Sequence, residues 1–189
     1  MTIILVLSDA HIPDRAFELS TAIREFIEQH KPFDIVVYAG DFTGYEFYEY
    51  VKSLGKSFYG VAGNMDFLDL PEYVTFRVHG IKFGVIHGDQ VYPRGNIAKL
   101  TRIAKRLQVQ VLVSGHTHSP FIVFEGGVLH LNPGSVTGVP SGGGGSLIPS
   151  FMIVKVSGSR LEIELFEERE EEHLTVSRRE IFELYPLEA

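Results

Sequence analysis

Short apolar runs recur along the first two thirds of the chain, and a polar residue follows each of them closely. The first run covers residues 3–7 and contains only Ile, Leu and Val. Similar runs lie at residues 34–39, 58–62, 81–86 and 110–113. Short, largely apolar runs of this kind are typical of strands that are buried on both faces of a sheet. The pattern therefore predicts five strands.

Between the first runs the apolar positions change to helical spacing. Phe17, Ile23, Phe26 and Ile27 fall on one face of a helix from about residue 15 to residue 29. Two more helices are predicted at about 45–53 and 96–107. Residues 1–62 should therefore form a β-α-β-α-β unit with right-handed crossovers and helices packed on the sheet.

After residue 118 the helical period disappears, and the pattern predicts strands joined by turns. These strands are expected at 120–124, 128–131, 151–156 and 161–166, with a hairpin turn at 157–159. The charged segment 167–172 is expected to be a solvated stretch that follows the last main strand. We predict two sheets packed face to face, with helices outside, in one domain spanning 1–189.

Composition limits the possible environments. The 189 residues suit one domain, and the absence of Cys excludes disulfides and thiolate zinc sites. The chain offers no run long enough to cross a membrane and no signal-peptide core, so we expect a cytoplasmic protein without a membrane partner. The net charge of −7 disfavours broad nucleic-acid binding. Whether the chain forms a homo-oligomer stays open.

Polar side chains of three types follow the predicted strands: Asp, Asn and His. They are Asp9, His11, Asp41, Asn64, His87, His116 and His118. Because the carboxyl ends of parallel strands meet at one edge of an α/β sheet, these side chains should converge on one crevice. Imidazole and carboxylate donors bind divalent first-row cations. The sequence therefore predicts a metal centre.

The predicted ligands divide into two sets that share one carboxylate, Asp41. The first set is Asp9, His11 and His118, and the second is Asn64, His87 and His116. Two divalent cations and two carboxylates leave such a site positively charged, so it should attract anions. Water shared by two cations loses a proton near neutral pH and becomes a bridging hydroxide nucleophile. Hydrolysis of a small phosphoester is the reaction that this arrangement predicts.

In chain order these residues form the motifs Asp-x-His, Gly-Asp, Gly-Asn, His and Gly-His-x-His. The pattern resembles the calcineurin-like metallophosphoesterase superfamily and spans nearly the whole chain. Asn132-Pro133-Gly134-Ser135 after the last His pair makes the chain most similar to the small bacterial and archaeal phosphodiesterase branch. The resemblance implies an α/β fold of four layers, αββα. It also implies a phosphodiesterase with two divalent ions, Mn2+ first and Ni2+, Zn2+, Fe2+ or Mg2+ as alternatives.

A second resemblance is to the metallophosphoesterase-fold subunit of retromer. It is carried by residues 9–13, 87–91 with Pro93, 132–138 and 148–151. That subunit serves mainly as a protein-interaction scaffold and departs from the metal pattern. The alternative function is therefore a scaffold with a structural or vestigial metal site. Because Asp41 and Asn64 are intact here, we favour an enzyme.

The chain departs from the superfamily pattern after Asn64. Many members carry a His there that is thought to protonate the leaving group, whereas this chain has Met65. A thioether cannot donate a proton. Asp66 is expected either to orient a group or to act as the acid if its pKa is raised. We expect Asn64, Asp66 and His116 to contribute to catalysis, and His30, His79, His130 and His173 to have surface or core roles.

Overall fold

The computed structural model describes residues 1–187, and the last two residues of the predicted domain lie outside that range. In chain order the elements are β1 (Thr2–Leu7), α1 (Thr21–His30), β2 (Phe33–Tyr38), α2 (Tyr45–Lys52), β3 (Gly55–Gly60), β4 (Tyr73–Val78), β5 (Ile81–Ile86), α3 (Ile97–Leu107), β6 (Val111–Val113), β7 (Phe121–Glu125), β8 (Val128–Asn132), β9 (Ser150–Ser157), β10 (Arg160–Glu170) and β11 (His173–Glu183). Within this range no helix is long and apolar enough to cross a membrane.

The strands form two mixed sheets. The first has the order β11-β10-β9-β1-β2-β3, and the second has the order β4-β5-β6-β8-β7. Strands β1, β2 and β3 pair in parallel, with Ile4 opposite Ile35. Strand β9 is antiparallel to β1. The predicted β-α-β-α-β unit is therefore confirmed and forms half of the first sheet.

The alternating directions of the side chains along β1 explain how the sheets and helices pack in layers. Successive side chains of a strand point to opposite faces of its sheet. Ile4 and Val6 pack in the core between the two sheets, together with Phe83 and Val85 of β5. Leu5 and Leu7 point the other way and pack against α1 and α2. Both faces of β1 are buried, as its apolar run predicts.

Helix α3 covers the outer face of the second sheet. Its Leu100 and Ala104 are buried against Leu112 of β6 and Val128 of β8. Asn96 caps the helix by accepting a hydrogen bond from Lys99 N at 3.0 Å. The order of layers is therefore helices, sheet, sheet, helix, which confirms the predicted αββα sandwich.

The predicted start of α1 at residue 15 is wrong. The helix begins at Thr21 because Ser20 caps it, with Ser20 Oγ accepting a hydrogen bond from Ile23 N at 3.3 Å. Phe17 therefore lies outside the helix and is 93% exposed, although its spacing predicts a buried position. Residues 13–20 instead form a loop beside the edge of the sheet where β1 and β2 end.

Two strands were not predicted, and both pair at a sheet edge. Strand β4 pairs only with β5, and β11 only with β10, among the described residues. The prediction that 167–172 is solvated is also wrong in part, because β10 continues to Glu170. Glu167 and Glu168 are buried there, where Glu167 accepts hydrogen bonds from Arg169 and Glu168 accepts one from the cap residue Ser20.

Candidate metal centre

Both sheets contribute side chains to one site at the ends of their strands. The first sheet supplies residues that follow β1, β2 and β3, and the second supplies residues that follow β5 and β6. Backbone hydrogen bonds align these segments: Asp9 N donates to Gly40 O at 3.0 Å, and Gly115 N donates to His87 O at 2.9 Å. The site therefore lies where the ends of the two packed sheets meet.

The backbone is left-handed at most of the predicted ligands. Asp9, His11, Asp41, His116 and His118 have φ between 49° and 70°. This conformation is uncommon outside glycine, although Asp and His tolerate it better than most residues. Residues held in it cost of order 1 kcal/mol or more each, and they cluster at functional sites. The ends of β1, β2 and β6 are thus bent sharply to turn these side chains inward.

The first predicted ligand set forms a compact cluster with Asp41. Asp9, His11, Asp41 and His118 are buried, and one donor atom from each lies within 4.8 Å of the others. His118 Nε2 is 3.3 Å from Asp9 Oδ1 and 3.3 Å from His11 Nε2. Four buried donor atoms this close together suit a divalent cation.

Asp9 provides the clearest test of that fit. Its Oδ2 accepts hydrogen bonds from Ser8 Oγ at 2.6 Å and from His116 N at 2.9 Å. Its Oδ1 is buried and has no hydrogen-bond partner. An unpaired carboxylate oxygen in the interior is costly unless it binds a cation. The residues present therefore suit a bound metal ion.

The second set lies on the other side of Asp41. His87 Nε2 is 3.0 Å from Asn64 Oδ1, 3.2 Å from His116 Nδ1 and 3.2 Å from Asp41 Oδ2. The same Asp41 oxygen is 3.4 Å from His11 Nε2. Asp41 Oδ1 is occupied because it accepts a hydrogen bond from Met65 N at 2.9 Å. Asp41 Oδ2 is thus placed between the two ligand sets.

Two ligand imidazoles are fixed by carbonyl groups behind them. His87 Nδ1 donates to Ala39 O at 2.7 Å, and His118 Nδ1 donates to Val139 O at 2.6 Å. A carbonyl can only accept, so the proton is on Nδ1 in both rings. Each Nε2 is then free to bind a metal, an arrangement typical of metal-binding histidines.

Burial and neighbouring charges set the protonation of these side chains. Burial lowers the pKa of His11 to about 4, and it also lowers the pKa of His116, so both rings are neutral at pH 7. Burial alone would lower the pKa of His87, but its contact with Asp41 outweighs this and raises it to about 9. Conversely, burial would raise the pKa of Asp41, but His87 holds it below its usual range. A cation bound there would displace the His87 proton.

Asp66 holds the loops of the site together. Its carboxylate accepts hydrogen bonds from the backbone N–H groups of Asp41, Thr43 and Gly63, each at 2.8 Å. Burial raises its pKa above the usual value, although these three donors oppose the rise. A carboxyl group that accepts three N–H bonds is suited to positioning. Its predicted role as an acid stays a prediction.

The Asn132-Pro133-Gly134-Ser135 motif supports the ligand segments from behind. Asn132 Nδ2 donates to Gly115 O at 3.0 Å, and Ser135 Oγ donates to Asp9 O at 2.7 Å. The motif therefore connects the segment after β1 to the segment after β6. His130, which lies just before it, is buried and bonds Thr101 Oγ1 through Nε2, which confirms a core role.

A small cavity of about 120 Å³ opens above the predicted ligands. Its lining is formed by His11, Arg15, Asp41, Asn64, Met65, Arg94, His116, His118, Ser141 and Gly142. Sequence reasoning missed the two arginines. Arg15 was assigned to a helix, and Arg94 belongs to no motif that the sequence marks. Their only signal is positive charge a few residues after His11 and His87.

Comparisons with known proteins agree with this geometry. Residues 1–159 match the calcineurin-like phosphoesterase superfamily domain. The chain is 46% identical over 132 residues to a probable metallophosphoesterase of Methanocaldococcus jannaschii, covering 70% of this chain and 67% of that protein. It is 36% identical over 163 residues to a probable metallophosphoesterase of Methanothermobacter thermautotrophicus, covering 85% and 89%.

The fold also has solved counterparts. Vacuolar Protein Sorting 29 from Cryptosporidium parvum superposes with a TM-score of 0.90 at 29% identity, covering 96% of this chain and 98% of that one. The profile match, the two relatives and the shared fold lead to one assignment. This chain belongs to the calcineurin-like phosphoesterase superfamily.

Proposed function

We propose that the protein is a phosphodiesterase with a dinuclear metal centre. The observation that carries this proposal is the position of one oxygen, Asp41 Oδ2. It lies 3.4 Å from His11 Nε2 and 3.2 Å from His87 Nε2, and each of these rings belongs to a different ligand set. A single carboxylate between two sets of donors is suited to bridging two cations.

The donors determine which cations suit the site. Two divalent ions bound there would activate water as the nucleophile and offset the charge that develops on the phosphoryl oxygens. We propose Mn2+ first, with Ni2+, Zn2+, Fe2+ and Mg2+ as alternatives, because sites of imidazole and carboxylate accept several divalent ions.

Hydrogen bonds within the protein orient the metal ligands. Ala39 O and Val139 O hold the rings of His87 and His118 in the tautomer that exposes Nε2. Ser8 Oγ and His116 N occupy one oxygen of Asp9 and leave the other for a ligand role. These contacts are complete within the protein, so little rearrangement is needed when substrate arrives.

Met65 limits which esters the site can cleave. It lines the cavity, but its thioether carries no proton to give to a departing oxygen. Asp66 directs its carboxylate at the N–H groups of Asp41, Thr43 and Gly63. We therefore propose that good leaving groups, such as aryl oxides, are favoured over alkoxides that need protonation.

A protein-interaction scaffold is the second candidate function. The observation that favours it is the close similarity to Vacuolar Protein Sorting 29, together with exposed aromatic side chains at Phe17 and Phe67. The metal site of a scaffold would be structural or vestigial. A structural site would stabilise the fold, so metal removal would lower stability, and in neither case would the loaded protein hydrolyse a phosphoester.

One paired experiment separates the two functions. The purified protein is loaded with Mn2+, its metal content is measured, and hydrolysis of bis(4-nitrophenyl) phosphate and 4-nitrophenyl phosphate is followed. We expect up to two ions per chain and faster turnover of the diester. Full metal occupancy without hydrolysis of either ester would favour the scaffold, and faster turnover of the monoester would contradict the diester preference.

A further inference from the structure

Two exposed arginines line the cavity beside the predicted metal ligands. Arg15 and Arg94 line it together with ligand residues from both sets, among them His11 and His116. Both arginines are exposed, and they belong to segments that follow β1 and β5. The two positive groups therefore come from different sheets and meet over the same opening.

Arg15 is held in place by one backbone carbonyl. Its Nη1 donates to Pro140 O at 2.8 Å, which connects the segment after β1 to the segment that carries the glycine run. Its Nε lies 3.8 Å from Asp14 Oδ2, and both side chains are partly exposed. An ion pair of this length in solvent is weak. Arg15 thus keeps donors that an anion in the cavity can use.

Arg94 is held near the His116 backbone. Its Nη1 donates to His116 O at 3.4 Å. The glycine run packs directly against it, because a Cβ at Gly142 would lie 3.0 Å from Arg94 Nη2, and one at Gly143 would lie 3.2 Å from Arg94 Cδ. Side chains at these two positions would crowd the guanidinium group. The loop therefore gives Arg94 room beside the predicted metal ligands.

The size of the cavity indicates what the arginines bind. At about 120 Å³ it is well below the volumes of roughly 300 to 1,000 Å³ that enclose a whole drug-sized ligand. A phosphoryl group fits inside, and the esterified group has to extend through the mouth. Guanidinium groups are suited to this task because their planar fork of N–H donors matches phosphate oxygens.

Building on the phosphoesterase function, we propose that Arg15 and Arg94 form a clamp that binds the anionic oxygens of the substrate's phosphoryl group. The clamp adds affinity that the metal ligands do not supply. It also makes the phosphoryl group, rather than the esterified group, the part of the substrate that is recognised. The substrates are then esters with an accessible phosphoryl group and few constraints on the rest of the molecule.

The clamp is tested by direct binding of inorganic phosphate to the Mn2+-loaded protein, measured by calorimetry. Arg94→Met and Arg15→Met keep much of each side chain but remove the charge and the donors. A hydrogen bond to a charged group contributes about 1.5 to 3 kcal/mol, so each variant should bind phosphate about 10-fold or more weakly. Arg94→Lys keeps the charge without the fork and should recover only part of the affinity.

Arg102→Met is the matched control, because Arg102 is an exposed arginine of α3. It should bind phosphate like the parent protein, and all four variants should retain parental metal content and melting temperature. Phosphate affinities of Arg94→Met and Arg15→Met within about twofold of the parent would overturn the clamp. So would an equal loss of affinity in Arg102→Met, because it would indicate an effect of net charge alone.

The result also separates the clamp from the proposed function. If phosphate binding depends on the arginines but no ester is hydrolysed, the clamp stands and the enzymatic proposal fails. If diesters are hydrolysed but the arginine variants bind phosphate like the parent, the enzyme stands and the clamp fails.

Discussion

Gly63 lies so close to Asp41 that no side chain fits between them. A Cβ at Gly63 would be 2.1 Å from Asp41 Oδ1 and 2.3 Å from Asp41 N. The glycine that precedes Asn64 therefore allows the proposed bridging carboxylate to occupy its position. This contact explains in physical terms why a glycine precedes Asn64.

Gly63→Ala should consequently displace Asp41 and disrupt both ligand sets. We expect metal content to fall to less than half of the parental value, with a matching loss of hydrolysis, because the proposed bridge serves both ions. Metal analysis after dialysis measures this. Gly127→Ala, in the turn between β7 and β8, is the control and should retain its metal despite a strained φ of 79°. Parental metal content in Gly63→Ala would contradict the assignment of Asp41.

The second prediction concerns the origin of the nucleophile. Hydrolysis should stop when a chelator removes the metal and resume when Mn2+ is restored, because the proposal uses no side-chain nucleophile. In water enriched in oxygen-18, one solvent oxygen should appear in the phosphoryl product, as mass spectrometry can detect. Detection of a phosphorylated Ser, Asp or His during turnover would refute the mechanism.

The third prediction concerns Met65. A thioether at this position should make the rate depend steeply on the pKa of the leaving group. Met65→His adds a group that can donate a proton, and a well-placed acid contributes about 10²- to 10⁴-fold. We expect the gain to be concentrated on alkyl esters, with unchanged metal content. Rates over a series of leaving groups measure the slope.

The variant Asp66→Asn tests the competing explanation, in which Asp66 protonates the leaving group. Because Asp66 accepts three backbone N–H bonds, its amide variant should weaken metal binding and slow all esters alike. If Asp66→Asn instead slows only esters with poor leaving groups, Asp66 is the acid and Met65 does not limit the reaction. A shallow slope in the parent protein that neither variant changes would exclude both explanations.

The fourth prediction concerns pH and His130. Burial lowers the pKa of His130 from 6.5 to about 4, so the unfolded chain takes up a proton that the folded chain does not. The free energy of unfolding should therefore fall as the pH decreases from about 6.5 to about 4. His130→Gln cannot titrate and should show a weaker dependence in urea unfolding at several pH values. Parallel curves for the two proteins would show that His130 contributes nothing to acid sensitivity.

The sequence was sufficient for the parts of the fold in which local pattern and burial agree. The apolar run of β1 predicts a strand buried on both faces. The structure confirms this, because Ile4 and Val6 pack in one core and Leu5 and Leu7 pack in another. The start of helix α3 is predicted to within one residue from its apolar spacing, and in the structure Asn96 caps it there. In both elements the local signal and the tertiary environment favour the same structure.

Strand β4 carries an apolar alternation of Val74, Phe76 and Val78 that packs on the core, although the sequence analysis does not predict this strand. Strand β11 lacks such a signal. Strand β11 is charged and largely exposed, and charged residues at a sheet edge reduce pairing with other chains. It pairs with β10, the strand that directly precedes it, and most of its side chains stay exposed. The start of α1 was misjudged for a related reason, because the apolar Phe17 fits the helical period but lies in a loop before the Ser20 cap.

The candidate metal centre also combines features that the sequence predicts with features that only the folded chain determines. All seven predicted ligands lie at one place, because motif order and strand ends were readable in the sequence. The left-handed backbone at Asp9 or His116 was not readable, since only the folded segments impose it. Arg15 and Arg94 were missed because a single arginine in a loop gives no periodic or motif signal. Only the meeting of the two sheets brings them together.

If Asp41 bridges two metal ions, as we propose, the number of ions that each variant binds will show it. The parent protein, Asp41→Ala and His118→Ala are loaded with Mn2+, passed through gel filtration and analysed by plasma mass spectrometry. We predict up to two ions per chain in the parent, a loss of both in Asp41→Ala, and selective weakening of one site in His118→Ala. Full retention of metal and activity by Asp41→Ala would contradict this prediction.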